Sequence, residues 1–341
     1  MQSSKILAVA GVSIMPSDYA ICVRAVSKGQ FIAEPGTTRY LELPEGTWDG
    51  TPENPLLPTQ AIGRKEWFRK VMDEALVGTN PKDQTEFGDV LVFIHGYNNS
   101  QQIVLQRHRM LKANLRLIGY TGAVVSFDWP SSDQTLNYLE DRSDAKATAL
   151  ALVDDAITTF VEYQQINCKI DVHLLAHSTG AYVIREAFDD ADDRKEVAEK
   201  NWTTSQIMLI AGDVSSASMS ETNPGSESIY RHCIRLTNYS NPFDSVLKLS
   251  NVKRLGLAPR VGRVGLPADA SEKAVNVDCG DFFQTLDEKA AQLGTFCHSW
   301  QIGNMTFIAD LLETIYGDTD RSRIKTRVLK PDGSLSLIRA T

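Results

Sequence analysis

Short runs of almost purely apolar residues, each bounded by turn residues and followed by a helical stretch, constrain this chain more than any other feature. They are Asp89–Ile94, Ala123–Phe127, Val172–Ala176 and Gln206–Ala211, separated by the helical segments Gln101–Leu117, Ser143–Tyr163 and Gly180–Phe188. A strand that is apolar on both faces must be covered on both. Alternation with helices therefore predicts an α/β fold: a mostly parallel central sheet with helices on either side. Cys233–Tyr239 and Ala274–Val277 read as further strands, and Phe307–Tyr316 as a closing helix. Upstream, Glu66–Val77 reads as an amphipathic helix, and Ala20–Ala25 and Thr38–Leu43 as edge strands in a Pro/Gly-punctuated segment. Thr326–Ile338 reads as a hairpin about Pro331-Asp332-Gly333. The expected organisation is an N-terminal extension over 1–85, the α/β domain over 86–318 and a hairpin-like tail over 319–341 packed on that domain.

A formal net charge of −8 opposes nucleic acid or an anionic membrane as the main partner. The 5 cysteines are odd in number, scattered, and lack metal-ligand spacing, which suits reduced thiols in a cytoplasmic protein. Ile6–Met15 has the length of a signal-peptide core, so secretion stays open, but its only preceding cation is Lys5. No run reaches the roughly 18 residues of a transmembrane helix. No integral membrane segment is expected, and an oligomer is compatible with the sequence.

In a parallel sheet, ligands bind beyond the carboxyl ends of the strands, and the chemistry-bearing residues cluster there. Val172–Ala176 runs into His177-Ser178-Thr179-Gly180 and then a helix. A sharp strand-to-helix turn presents a serine hydroxyl at the sheet edge and needs small flanking residues. Here they are Ala176 and Gly180, one methyl away from Gly-x-Ser-x-Gly. The bland reading of the same residues is a serine N-cap.

A neutral serine needs a base, and the base needs an orienting carboxylate. Of the 6 histidines, His108 reads as solvated on a helix, His173 as packed in a strand, His232 as a surface residue and His177 as structural. His95 belongs to a separate turn. His298 remains, in a loop before the last helix. Asp244 and Asp213 both follow strands, and both complete the chain order serine, acid, histidine. Phe93-Ile94-His95-Gly96-Tyr97 ends another strand in a turn whose N–H groups suit an oxyanion hole; the donors expected are those of Tyr97 and Thr179. Asp128 and Trp129 follow a further strand and could line the site, though core packing explains Trp129 equally well.

With these residues in place, the chain resembles the α/β-hydrolase superfamily, and more narrowly the bacterial esterase/lipase-like group called domain of unknown function 900. The resemblance lies in Val90–Asn98, Phe127–Ser131, Tyr138, Asp141-Arg142, Leu174–Gly180, Asp244, Arg254–Gly256 and Gly294–Trp300, and spans about residues 86–315. That group usually has Met after the serine, where this chain has Thr179. The resemblance favours Asp244 over Asp213 as the acid.

The expected activity is that of a carboxylesterase-like serine hydrolase using Ser178, His298 and Asp244, with His95, Gly96, His177, Asp213, Asp128 and Trp129 around them. The expected substrate is a small or lipid-like acyl ester, without metal or organic cofactor. A binding protein that kept the fold and lost turnover, or an amidase, thioesterase or lyase on the same scaffold, are the alternatives. Only about 20 residues separate Ala211 from Cys233, too few for a large helical lid there. The longer span Asn251–Val275 could border an open cleft.

Overall fold

A computed structural model describes residues 17–46, 54–82, 84–97, 99–131, 138–163, 168–253, 258–288 and 293–340. Its strands are β1 Ser17–Ser27, β2 Gln30–Pro44, β3 Ala61–Ile62, β4 Leu76–Thr79, β5 Glu86–Ile94, β6 Ala123–Asp128, β7 Cys168–His177, β8 Thr204–Ile210, β9 Cys233–Ser240, β10 Ala274–Asp278, β11 Arg327–Leu329 and β12 Leu335–Leu337. The helices that matter here are α1 Arg64–Ala75, α2 Gln101–Leu117, α3 Tyr138–Ala151, α4 Gly180–Asp192, α5 Ser245–Lys253, α6 Phe296–Ser299 and α7 Met305–Tyr316. The signal-like run Ile6–Met15 and the Arg254–Gly256 part of the resemblance lie outside the described residues.

The strands form one 12-stranded sheet in the order β11-β12-β10-β9-β8-β7-β5-β6-β1-β2-β3, with β4 pairing β5 off that path. From β12 to β1 the pairings are parallel. Alternate residues of the central strands feed opposite layers, as apolar runs in such a sheet must. Val90, Val92 and Ile94 pack with Trp67, Phe68, Phe160, Val183 and Phe188 on one face. Leu91 and Phe93 pack with Leu111, Leu115, Trp300, Phe307 and Leu311 on the other.

The topology fixes where a site can lie. After β5 the chain steps to β6 on one side; it returns as β7 on the other side of β5 and continues outward through β8, β9 and β10. The crevice between the carboxyl ends of β5 and β7 is thus the switch point at which doubly wound sheets bind ligands.

The C-terminal hairpin forms as expected, β11 antiparallel to β12, and β12 extends the parallel sheet beside β10. Four expectations change. Ala20–Ala25 lies in β1, which is not an edge strand: it pairs parallel with β6 and antiparallel with β2, and only β2 and β3 lie beyond it. Tyr19, Ile21 and Val23 join the main core. The helix expected over Glu66–Val77 starts earlier and stops at Ala75, because Leu76–Thr79 leaves it to pair with β5. Among the histidines, His108 is buried, with Nδ1 3.0 Å from Ser126 Oγ and Nε2 3.4 Å from Asp18. His232 is half-buried and stacks on Trp202 at 3.9 Å rather than standing in solvent.

Candidate active site

β7 delivers Ser178 into the crevice in a backbone conformation that an L-residue adopts at a cost. Its φ is 56°, in the left-handed region, which costs about 1–2 kcal/mol for a residue with a Cβ. The surroundings hold it there. Ser178 N–H donates to Ile210 C=O at 3.0 Å, and Ser178 C=O accepts from Asp213 N–H at 2.9 Å and Ala181 N–H at 3.1 Å. α4 then starts at Gly180, where a Cβ would lie 2.5 Å from the Ile94 carbonyl oxygen. The small residue read from the sequence is therefore demanded by the close pass of the elbow over β5. The Thr179 hydroxyl is buried and has no hydrogen-bond partner among the described residues.

β5 ends directly opposite. A Cβ on Gly96 would lie 2.7 Å from Ser178 Cβ and 3.0 Å from His177 Nδ1, so only glycine lets this turn approach the elbow. The carbonyls of the turn are turned into side chains. Trp129 Nε1–H donates to His95 C=O at 2.8 Å, and Asn99 Nδ2 donates to Gly96 C=O at 2.7 Å and Tyr97 C=O at 3.1 Å.

Beneath the turn lies a buried ionic group. Arg24, on β1, donates from Nε to both oxygens of Asp128 at 2.9 and 3.0 Å, from Nη1 to Ser131 C=O at 2.8 Å, and from Nη2 to Asn99 C=O at 3.2 Å. His95 Nε2 lies 3.1 Å from Asp128, and the His95 ring stacks on Trp129 with centroids 5.2 Å apart. Burial alone would raise the Asp128 carboxyl; the Arg24 charge and the His95 contact overcome it and hold the group below its usual range. Trp129 is fully buried under this turn, so it packs as core and lines no open pocket wall.

Asp244 and His298 come from the segment after β9 and from α6, just before α7. Asp244 follows β9 and is fully buried. Its Oδ1 accepts from Leu247 N–H at 2.9 Å, capping α5, and its Oδ2 lies 2.7 Å from His298 Nδ1 on α6. Asn241 ties the two segments, donating from Nδ2 to Cys297 C=O at 3.1 Å while its own N–H donates to Gly262 C=O at 2.8 Å. Asp213 faces elsewhere: its carboxylate pairs with the buried Arg260 at 3.1 Å. Of the two acids left open by chain order, Asp244 is the one placed on His298.

His298 is brought to the elbow by His177, the residue before Ser178. The two rings meet edge to face at 4.9 Å, and His177 Nε2 lies 2.9 Å from the His298 carbonyl oxygen. The other ring nitrogen of His177 lies 3.0 Å from Arg107 Nη1 on α2. Arg24, Arg107 and Asn241 were absent from the sequence reading. Arg107 had a signal: it falls at helical spacing with Val104, Leu111 and Leu115, on the face of α2 that turns out buried. Among the described residues, no cluster of His, Cys, Asp or Glu is arranged to hold a metal ion.

The parallel sheet, its switch point and the strained strand-to-helix serine define an α/β hydrolase. The chain belongs to the family described as alpha/beta hydrolase of unknown function (DUF900), whose model matches residues 74–285. No curated protein matches the sequence. Among solved structures, the chain is similar to a cutinase-like protein from Cryptococcus sp. (12% identity over 70% of this chain and 96% of that one, TM-score 0.32). It is similar also to esterase B from Lactobacillus rhamnosis (11%, 77% and 74%, TM-score 0.33). A third is the RedJ thioesterase of prodiginine biosynthesis in Streptomyces coelicolor (14%, 74% and 94%, TM-score 0.32).

Proposed function

We propose that the protein is a serine hydrolase of carboxylic esters, with Ser178 as nucleophile, His298 as general base and Asp244 as the acid that orients it. The observation that carries this reading is the 2.7 Å contact between His298 Nδ1 and buried Asp244. It fixes the proton on Nδ1 and leaves the Nε2 lone pair for the serine proton. Ser178 attacks the ester carbonyl as His298 takes that proton. The N–H groups of Tyr97 and Thr179 receive the oxyanion. The alcohol leaves with the proton from His298, and a water activated by the same imidazole releases the acid. The inward-turned carbonyls of His95, Gly96 and Tyr97 support this arrangement, because a carbonyl aimed at the oxyanion would repel it.

The substrates that fit best are small or polymer-attached esters. The connection from β8 to β9 holds only the short helices Ala217–Met219 and Pro224–Arg231, not a large lid. The test is hydrolysis of a p-nitrophenyl ester series by wild type and Ser178→Ala. The expected loss is on the order of 10³-fold or more in kcat; a variant as fast as wild type contradicts the reading.

A further inference from the structure

The proposed triad leaves the buried cation Arg107 unused. Arg107 lies in the interior of α2, and among the described residues no carboxylate pairs with it. Its donors go elsewhere: Nη1 to His177 Nδ1 at 3.0 Å, Nη2 to Leu293 C=O at 2.7 Å and to Ser299 Oγ at 3.3 Å. Leu293 and Ser299 flank His298 in the chain. A guanidinium only donates, so His177 Nδ1 accepts. A carbonyl only accepts, so His177 Nε2–H donates to His298 C=O at 2.9 Å. The partners on either side thus allow a single neutral tautomer. Burial, and then the Arg107 charge, hold this imidazole well below its usual range, which favours the neutral ring that both partners require.

We propose that Arg107 and His177 are positioning residues: a clamp that holds the backbone of the general base against the nucleophile elbow. The geometry gives the clamp both jaws. His177 is covalently next to Ser178, and its ring grips His298 directly. Arg107 braces that ring and, independently, both ends of the segment carrying His298. Among the described residues neither hydrogen-bonds the Ser178 hydroxyl or a ring nitrogen of His298. Their effect is on where the base stands, and a misplacement of about 1 Å costs roughly 10²-fold in rate. The inference rests on the hydrolase reading above.

The test compares three variants on a p-nitrophenyl ester, with kcat and KM measured separately and thermal midpoints recorded. His177→Gln keeps a donor near the Nε2 position and an amide oxygen. His177→Leu removes donor and acceptor together but leaves Arg107 buried against an apolar group, which costs stability. The double variant Arg107→Met/His177→Leu removes the cation too and keeps the site apolar. The expected result is that His177→Leu, or the double variant if the single one unfolds, loses about 30- to 100-fold in kcat with KM little changed, and that His177→Gln recovers most of it. A folded double variant with wild-type kcat overturns the clamp. So does a loss in His177→Gln as deep as in the double variant, since a merely structural role predicts no rescue. A wild type that neither hydrolyses esters nor reacts with a fluorophosphonate at Ser178 instead overturns the hydrolase reading, and the clamp with it.

Discussion

Asp244 and His298 stand 54 positions apart in the chain and meet at 2.7 Å, the carboxylate fully buried and its second oxygen occupied by the Leu247 N–H. Asp213, equally well placed in chain order, is engaged with Arg260. The pair of variants Asp244→Asn and Asp213→Asn separates their roles. Asp244→Asn is expected to lower kcat by about 10⁴-fold, because the amide favours the wrong tautomer of His298. Asp213→Asn should retain most of kcat and lose about 3 kcal/mol of stability by breaking a buried ion pair. Steady-state kinetics beside urea unfolding distinguishes the two; equal kinetic losses would count against the assignment.

Gly96→Ala tests the close approach of the turn after β5. Its Cβ would stand 2.7 Å from Ser178 Cβ, where no heavy atom fits without a shift. The turn must retreat from the elbow, and the N–H donor proposed for the oxyanion retreats with it. The expected loss is about 10²- to 10³-fold in kcat, with a smaller change in thermal midpoint. A midpoint collapse at unchanged kcat would mean the turn is a packing element only.

Asp128→Asn removes the counter-charge of Arg24 while leaving that guanidinium buried. A broken buried pair costs about 3–5 kcal/mol, and Arg24 also holds the backbone carbonyl of Asn99, whose side-chain amide organises the turn. Both stability and kcat should fall, the first measured by urea unfolding and the second on the same ester. A stability loss below about 1 kcal/mol would contradict the role given to this pair.

Stability should fall on mild acidification. Burial holds His95 and His177 below the ordinary imidazole value, and for His177 the Arg107 and His298 charges act in the same direction. In the unfolded chain each takes up a proton near pH 6.5. Below that pH the unfolded state binds more protons than the folded one. Stability therefore drops as pH falls through about 6.5, by up to about 1.4 kcal/mol per pH unit for each histidine. Urea midpoints should be lower at pH 5.5 than at 7.5, and His177→Gln should flatten the dependence. A midpoint that rises toward pH 5.5 contradicts the neutral assignment.

Most of this architecture was legible because its strands are apolar on both faces: β5, β6, β7 and β8 appear where continuous Val/Ile/Leu/Phe runs placed them. β1 was misplaced although Tyr19–Val23 is just such a run, because position near the start of the chain carries no information about position in a sheet. β4 was missed because four residues continuing a helix have no period of their own. At the site, the serine elbow and Gly96 were readable from the sterics of tight turns. The ionic layer beneath was not: Arg24 meets Asp128 across 104 positions, and a buried Arg looks like a surface Arg until its partner is known. His108 was misread for the same reason, although its helical spacing with Val104, Leu111 and Leu115 put it on the apolar face.

The central claim is that Ser178 is an activated nucleophile. Labelling of the folded protein with a fluorophosphonate, followed by mass mapping of the modified peptide in wild type and Ser178→Ala, tests it without knowledge of the substrate. The prediction is stoichiometric modification at Ser178, abolished in the variant and strongly slowed in Asp244→Asn. A folded wild type that stays unmodified, or one modified at another residue, would contradict it.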